Sequence, residues 1–276
     1  MLYPVADLAG LNRLTRSALQ NAALSMAGML LLRTAPGEDP RAAHAGERPL
    51  VAATMFGVTT PCVEHARKEL EEGGLEVVVF HATGVGGQSM EGLIRDGQVS
   101  GVLDLTTTEL ADELVGGVLS AGPDRLEAAV RKGIPQVVSV GALDMVNFGP
   151  VDTVPDRFAG RKFHVHNSSV TLMRTTPTEN RALGDLIART LSAARTPVTV
   201  LLPLRGVSAL DAPGKPFYDP EADRALFKAL TDGLRGHPSV RVEPRDEHIN
   251  DPSFASAAAS ALLVLMADTI GLHKLT

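Results

Sequence analysis

The chain has 276 residues, 44% of them hydrophobic, with a net charge of −6, one cysteine, no tryptophan and two tyrosines. That content fills one large α/β domain or two modest ones, and an acidic balance without a dense Lys/Arg cluster argues against nucleic acid as a partner. The single Cys62 excludes an intramolecular disulfide and fits a reducing, cytoplasmic setting.

Met1 to Asp7 lacks a basic segment followed by an apolar one, so no secretory leader is expected. Asp7 to Leu32 reads as one long helix rich in Ala, Leu and Met. Its stretch from Ser17 to Leu32 contains Gln20, Asn21 and Ser25 and is short for a bilayer span, so no membrane association is expected. The apolar surface of this helix is too broad for solvent and predicts a homodimer or a partner domain packed on it. Residues 1–33 are thus a connecting helix, and the Pro/Gly-rich residues 34–48 a linker. Residues 49–276 form the main α/β domain.

From Leu50 onward the chain alternates strand and helix. Strands are expected at Leu50–Phe56, Leu75–Phe80, Gly101–Leu105, Gln136–Val140, Val198–Leu202 and Val240–Glu243. The fold class is therefore α/β, a doubly wound, Rossmann-like parallel sheet of about six strands. Thr60-Pro61, Thr176-Pro177, Asp219-Pro220 and Asp251-Pro252 each place a capping oxygen before a proline that opens a helix. Thr106 with Glu109, and Thr176 with Glu179, fit the capping box. Residues 141–175 do not fit the alternation and leave a strand at its carboxyl end, where open α/β sheets bind ligands.

The stretch from Val77 to Glu91 reads as strand, glycine turn, helix. Gly84, Gly86 and Gly87 allow close backbone approach, and the helix after them would aim free N–H groups at an anion. Asp104 lies twenty residues past Gly84, where a dinucleotide fold keeps its ribose-binding acid. A nicotinamide-dependent oxidoreductase is one alternative on that spacing.

The residues at the ends of the strands make a polar rim: Thr54; His81 and Thr83 with the glycines; Asp104, Thr106 and Thr107; Asp144 and Asn147; Arg205 and Ser208; His248 and Asn250. Parallel strands gather these on one edge, which predicts a small-molecule site. His81, Asp104, Asp144 and His248 are the candidate catalytic groups, and the others apart from Ser208 candidate ligand contacts. His164 and His166 would share one face of a strand and are the candidate metal ligands. Cys62, at a helix start, is a weaker candidate nucleophile. Ser208 lacks the second glycine of a nucleophile elbow. Arg174 and Arg205 are the cations placed for an anionic ligand.

The segments Ala53-Thr-Met-Phe-Gly-Val-Thr-Thr-Pro61, Phe80-His-Ala-Thr-Gly-Val-Gly-Gly87, Leu103 to Leu114, Gly141-Ala-Leu-Asp-Met-Val-Asn-Phe-Gly149 and His248-Ile-Asn-Asp-Pro252 resemble the Tm-one-like ATP-binding family. That bacterial and plant family includes the ATP-binding region of the tomato mosaic virus resistance protein. The resemblance spans nearly the whole chain and corresponds to the family's carboxyl-terminal domain plus its connecting helix. It implies ATP with Mg²⁺ as a cofactor, with a preceding α/β domain that carries its own glycine-rich loop. The combined expectation is a cytoplasmic, hydrolase- or lyase-type domain binding an anionic or phosphorylated small molecule at the strand ends. The alternative is a non-catalytic nucleotide-binding or interaction module.

Overall fold

The computed structural model describes residues 13–33 and 48–270. The chain divides into two units, residues 1–47 and 48–276. In the first, α1 (Arg13–Arg33) carries Leu24 and Met26 at 70% and 58% exposure. The expected helix start at Asp7 and linker residues 34–47 lie outside the described residues.

The second unit runs β1 (Leu50–Met55), α2 (Thr60–Glu72), β2 (Glu76–His81), α3 (Val85–Arg95), β3 (Gly101–Thr106), α4 (Glu109–Val115), α5 (Glu127–Lys132) and β4 (Gln136–Gly141). It continues through β5 (Met145–Phe148), β6 (Phe163–Asn167), β7 (Val170–Arg174), α6 (Pro177–Leu191), β8 (Val198–Pro203), α7 (Pro220–Gly233), β9 (Val240–Arg245) and α8 (Pro252–Ile270). All six expected strands form. They pair in parallel in the order β2-β1-β3-β4-β8-β9.

Alternation along each strand sends side chains to two buried faces, which is why the strands read as continuous apolar runs. Val51, Ala53, Leu103, Val137 and Leu201 meet α2 and α8 through Cys62, Leu70, Phe254 and Leu262. Across the sheet, Val138, Val140, Val200 and Leu202 meet Leu110, Leu183, Ile187 and Leu226. A smaller cluster joins Ala52 and Val102 to Met90, Ile94 and Ala129.

Residues 141–175 break the alternation because they form an antiparallel ribbon, β5-β7-β6, at the carboxyl end of the sheet. The ribbon has its own apolar cluster of Ala142, Met145, Leu172 and Phe217, with Phe56 and Val58 packed against it.

Two expected caps form as read. Thr176 and Glu179 make a full capping box, and Asp219 accepts from the Glu221 and Ala222 amides. Three differ. Thr59, rather than Thr60, is the N-cap residue of α2, and its hydroxyl pairs with that of Thr106 at 2.7 Å. Thr106 therefore belongs to β3 and makes no box with Glu109, whose side chain reaches across to the glycine loop. The Asp251 carboxylate accepts from the His248 amide at 2.8 Å. In each case a partner other than the helix end competes for the capping oxygen.

Candidate functional site

Gly84 to Gly87 follow β2 at the start of α3, with β1 between β2 and β3, and Glu109 of α4 reaches across to them. The amides of Gly84 and Gly87 converge as the glycine pattern predicts, but the anion they hold belongs to the protein. Glu109 Oε1 accepts from Gly84 N at 2.7 Å and from Gly87 N at 3.0 Å. The glycines are required by this packing. Gly84 has φ +85°, and a Cβ on Gly86 would stand 1.7 Å from the His81 carbonyl oxygen.

Glu109 Oε2 in turn accepts from Arg125 Nε at 2.8 Å. Arg125 is 1% exposed and is the centre of a buried cluster. Its Nη1 and Nη2 donate to the two oxygens of Asp104 at 2.5 and 2.8 Å, and Nη1 reaches Glu91 at 3.5 Å. Burial alone pulls the guanidinium towards losing its proton, but Asp104, Glu109 and Glu91 together outweigh it and hold the charge. Burial raises the Glu91 pKa, offset in part by Arg125 and by the Ala128 and Leu126 amides. Asp104 also accepts from Thr54 Oγ1 at 2.7 Å, so both its oxygens are engaged.

Sheet order reverses between β1 and β3, and in doubly wound folds that switch point opens a ligand crevice. Here Thr54, Asp104, Thr106 and Thr107, at that point, are buried by the chain itself. Thr54 Oγ1 accepts from Thr106 N at 3.0 Å where β3 slips register against β4, and Thr107 Oγ1 donates to Ser139 O at 3.1 Å. Loop 204–219 closes over the strand ends: Ala209 N donates to Val58 O, and Ala142 N to Val207 O. Asn250 Nδ2 donates to the same Val58 carbonyl at 3.0 Å. Asn147 is buried on β5, where its Nδ2 donates to Asp112 Oδ2 at 2.6 Å. Burial pushes the Asp112 carboxyl up to about 7, although Asn147 and the Leu119 amide pull the other way.

A second buried arginine organises the far half of the edge. Arg174 donates from Nη2 to Asp223 Oδ1 at 2.7 Å, from Nε to Phe217 O at 2.7 Å and from Nη1 to Thr175 Oγ1 at 3.1 Å. Asp211 Oδ1 lies 3.7 Å from Nη2. Asp144 completes this cluster, and its Oδ2 accepts from Ser208 Oγ at 2.7 Å. Burial drives Asp144 up to about 7, with Arg174 opposing and Asp211 adding to the rise. Burial, then repulsion from Asp211, drives Asp223 up to about 8.

Asp144, Ser208 and His248 do not form a nucleophilic triad. Ser208 Oγ accepts from Leu210 N at 3.0 Å, and the His248 ring meets the Ser208 carbonyl instead of its hydroxyl. His248 Nδ1 accepts from Asn250 N at 3.1 Å, which leaves the hydrogen on Nε2 to donate to Ser208 O at 2.9 Å. The imidazole is a cross-link between two loops.

The remaining expected residues are scattered. His81 is exposed at the end of β2, and Thr83 turns its amide back to the His81 carbonyl. Arg205 is exposed and forms a forked pair with Asp246 at 2.9 and 2.7 Å. His164 stands edge-on to Phe217 with ring centroids 6.2 Å apart, and His166 is exposed where β6 slips register. Among the described residues, no three His, Cys, Asp or Glu side chains group to hold a metal. Cys62 is buried, and burial pushes its thiol up to about 12, the opposite of the lowered value that activates a nucleophilic cysteine.

A cavity of 420 Å³ opens where β8 ends and α7 begins. Leu204, Pro213, Tyr218, Pro220 and Phe227 form apolar walls, with Arg205, Arg224 and Asp223 as its charged groups. Arg224 is exposed and makes no ion pair among the described residues. Of these, only Arg205 stands out in the sequence. Arg125, Glu91, Asp112, Asp211 and Asp223 also escape a reading of the sequence, because partners such as Glu109, Asn147 and Arg174 lie 16 to 49 residues away and leave no local pattern. One signal does exist: Asp219 and Asp223 are four apart at the start of a capped helix and so share its first face.

Comparison with known proteins gives the chain a family. Residues 48–266 match the model described as "Uncharacterised protein family (UPF0261) C-terminal domain". A UPF0261 protein of Clostridium tetani is 50% identical over 266 residues, covering 96% of this chain and 64% of that protein. The ToMV resistance protein Tm-1(GCR237) of Solanum lycopersicum is 47% identical over 264 residues, covering 95% of this chain and 35% of that protein. A Mesorhizobium japonicum UPF0261 protein is 50% identical over 262 residues, with 64% of its length covered. The chain thus spans less than two thirds of these relatives' length, and it belongs to the UPF0261 family, to which the tomato Tm-1 protein is similar across this region.

Proposed function

We propose that the domain is a binding module for a small organic anion, with the ligand seated in the cavity between the end of β8, residues 213–220 and α7. The observation that carries this reading is the pairing of an apolar-walled cavity with Arg224, which has no ion-pair partner among the described residues, at the carboxyl edge of the sheet. Its 420 Å³ falls in the range of small-molecule sites. A larger hollow of 850 Å³ lies between α8 and the outer strand β9, from the start of β8 along β9 to Arg245, and does not reach α7. Another, of 510 Å³, lies on the outer surfaces of α6 and α7.

ATP with Mg²⁺, implied by the family resemblance, does not fit the glycine loop as folded, because Glu109 already takes the Gly84 and Gly87 amides. Nicotinamide binding meets the same obstacle at Asp104, which Arg125 holds. Of the candidate catalytic groups His81, Asp104, Asp144 and His248, none lines this cavity, which is why binding is preferred to hydrolase or lyase chemistry.

The test is a thermal-shift comparison of benzoate, phenyl phosphate and ATP with Mg²⁺ on the chain and on Arg224→Glu. At a hundred times its dissociation constant a ligand stabilises by about 2.7 kcal/mol, or a few degrees. The organic anions should raise Tm in the unmodified chain alone. Equal shifts in Arg224→Glu, or none in either, would contradict a site at Arg224.

A second reading adds an interaction role, carried by the exposed Leu24 and Met26 of α1. A homodimer or a partner domain would cover them. Leu24→Glu with Met26→Glu should then lower the associated fraction in light scattering, and an unchanged monomer in both proteins would oppose the idea.

A further inference from the structure

We propose that this cavity takes an organic acid of one anionic head and an apolar body, and that it takes the acid together with a proton held in the buried cluster around Arg174. This inference rests on the reading that the cavity is the ligand site.

Asp223 joins the two features, since it lines the cavity and is also the close partner of Arg174. The groups that face it come from four elements. Arg174 approaches from β7, Asp211 from the loop after β8, and Asp144 from the turn after β4. At the head of α7 itself Asp219 gives its carbonyl to Arg174, while its carboxylate caps the helix. At the rim stand Arg224, Tyr218 and Arg205, the last already neutralised by Asp246.

One guanidinium cannot neutralise three carboxylates when two of them are shut off from water. Asp144 and Asp211 are both 0% exposed, and one oxygen of each, Oδ1, has no hydrogen-bond partner. Burying such an oxygen as an anion is far costlier than burying it in a neutral carboxyl. The cluster therefore keeps a proton into the neutral range, consistent with the rise of Asp223 to about 8 and of Asp144 to about 7.

An anion entering the cavity adds a negative charge beside Asp223 and makes its ionisation harder still. The head group would pair with Arg224, the apolar body would lie against Leu204, Tyr218 and Phe227, and a neutral Asp223 would offer an O–H where an ionised one repels. The balance is simple: one ligand anion and one proton enter together, and no covalent bond within the ligand is made or broken.

The experiment is isothermal titration of the whole chain with benzoate, which stays ionised, from about pH 6 to about pH 9.5 in two buffers of different ionisation enthalpy. We expect a flat affinity below about pH 7, falling above about pH 8 towards tenfold per pH unit. Proton uptake should rise towards one per ligand over that range. Asp223→Asn should bind with a flat profile and no uptake. Binding that is flat in the unmodified chain, without buffer dependence, would overturn the proton coupling and leave the cavity reading standing. Absence of binding at every pH would overturn both. If Asp223→Asn does not fold, carboxyl-carbon NMR titration of the unmodified chain decides: benzoate must move an aspartate titration to higher pH, and an unmoved curve would refute the coupling.

Discussion

Glu109 Oε1 stands 2.7 Å from the amide of Gly84 and occupies the position that a bound phosphate would take in a glycine loop. The loop is a joint between α3 and α4, locked through Glu109 Oε2 to Arg125. Removing one member of a buried ion cluster leaves the others uncompensated, at a cost of about 3–5 kcal/mol. Glu109→Ala should lose that much stability in urea unfolding. Glu109→Gln keeps an acceptor for the amides and should lose less, roughly 1–3 kcal/mol.

The same geometry decides what glycine variants report. A Cβ on Gly86 would lie 1.7 Å from the His81 carbonyl oxygen, and one on Gly87 would lie 2.2 Å from Glu109 Oε2. Backbone does not yield as a side-chain tip does, so Gly86→Val should destabilise by on the order of 4 kcal/mol. Gly87→Ala, which displaces Glu109, should cost less. Circular-dichroism melts check this order, and an intact Tm in Gly86→Val would refute the packing described for the loop.

His248 and Ser208 should behave as structural groups. His248→Ala removes one donor to a buried carbonyl, and Ser208→Ala removes a donor to Asp144, each costing roughly 1–3 kcal/mol. In a nucleophilic triad either change would abolish covalent labelling by an activated phosphonate. Here no such labelling should occur at Ser208 in the unmodified chain, which mass spectrometry can test.

Stability should fall as pH rises through neutrality. Asp112, Asp144 and Asp223 have folded-state values raised to about 7, about 7 and about 8 from the ordinary 3.8. Between the unfolded and folded values the unfolded chain has released these protons while the native state still holds them. The native state is therefore favoured below the unfolded value and loses that advantage progressively up to about pH 8. Each fully retained proton contributes a slope of roughly 1.4 kcal/mol per pH unit. Urea midpoints should be higher at about pH 5.5 than at about pH 8, and Asp223→Asn should flatten part of the slope. A stability that rises across this window would contradict the protonated cluster.

Locality separates what the sequence reveals from what it hides. The six strands are legible because apolar runs and turn residues are local, as are the Thr176 box and the Asp219 cap. The polar rim is legible as a set of side chains at strand ends, but whether each faces water is not. Asp104, Asp144 and His248 are each consumed by a partner at least 21 residues away, and Arg125 carries no pattern that distinguishes it from a surface arginine. The cavity beside α7 depends on where residues 213–220 fold back, which no periodicity encodes.

Entry of the ligand beside α7, with the glycine loop untouched, is most directly tested by backbone NMR of the isotopically labelled chain titrated with benzoate. Amide shifts should concentrate at Leu204, Arg205, Tyr218 and Arg224, with Gly84, Gly86 and Gly87 unmoved. Shifts centred on Gly84 to Gly87 with a silent α7 would contradict this placement and return the anion to the glycine cradle.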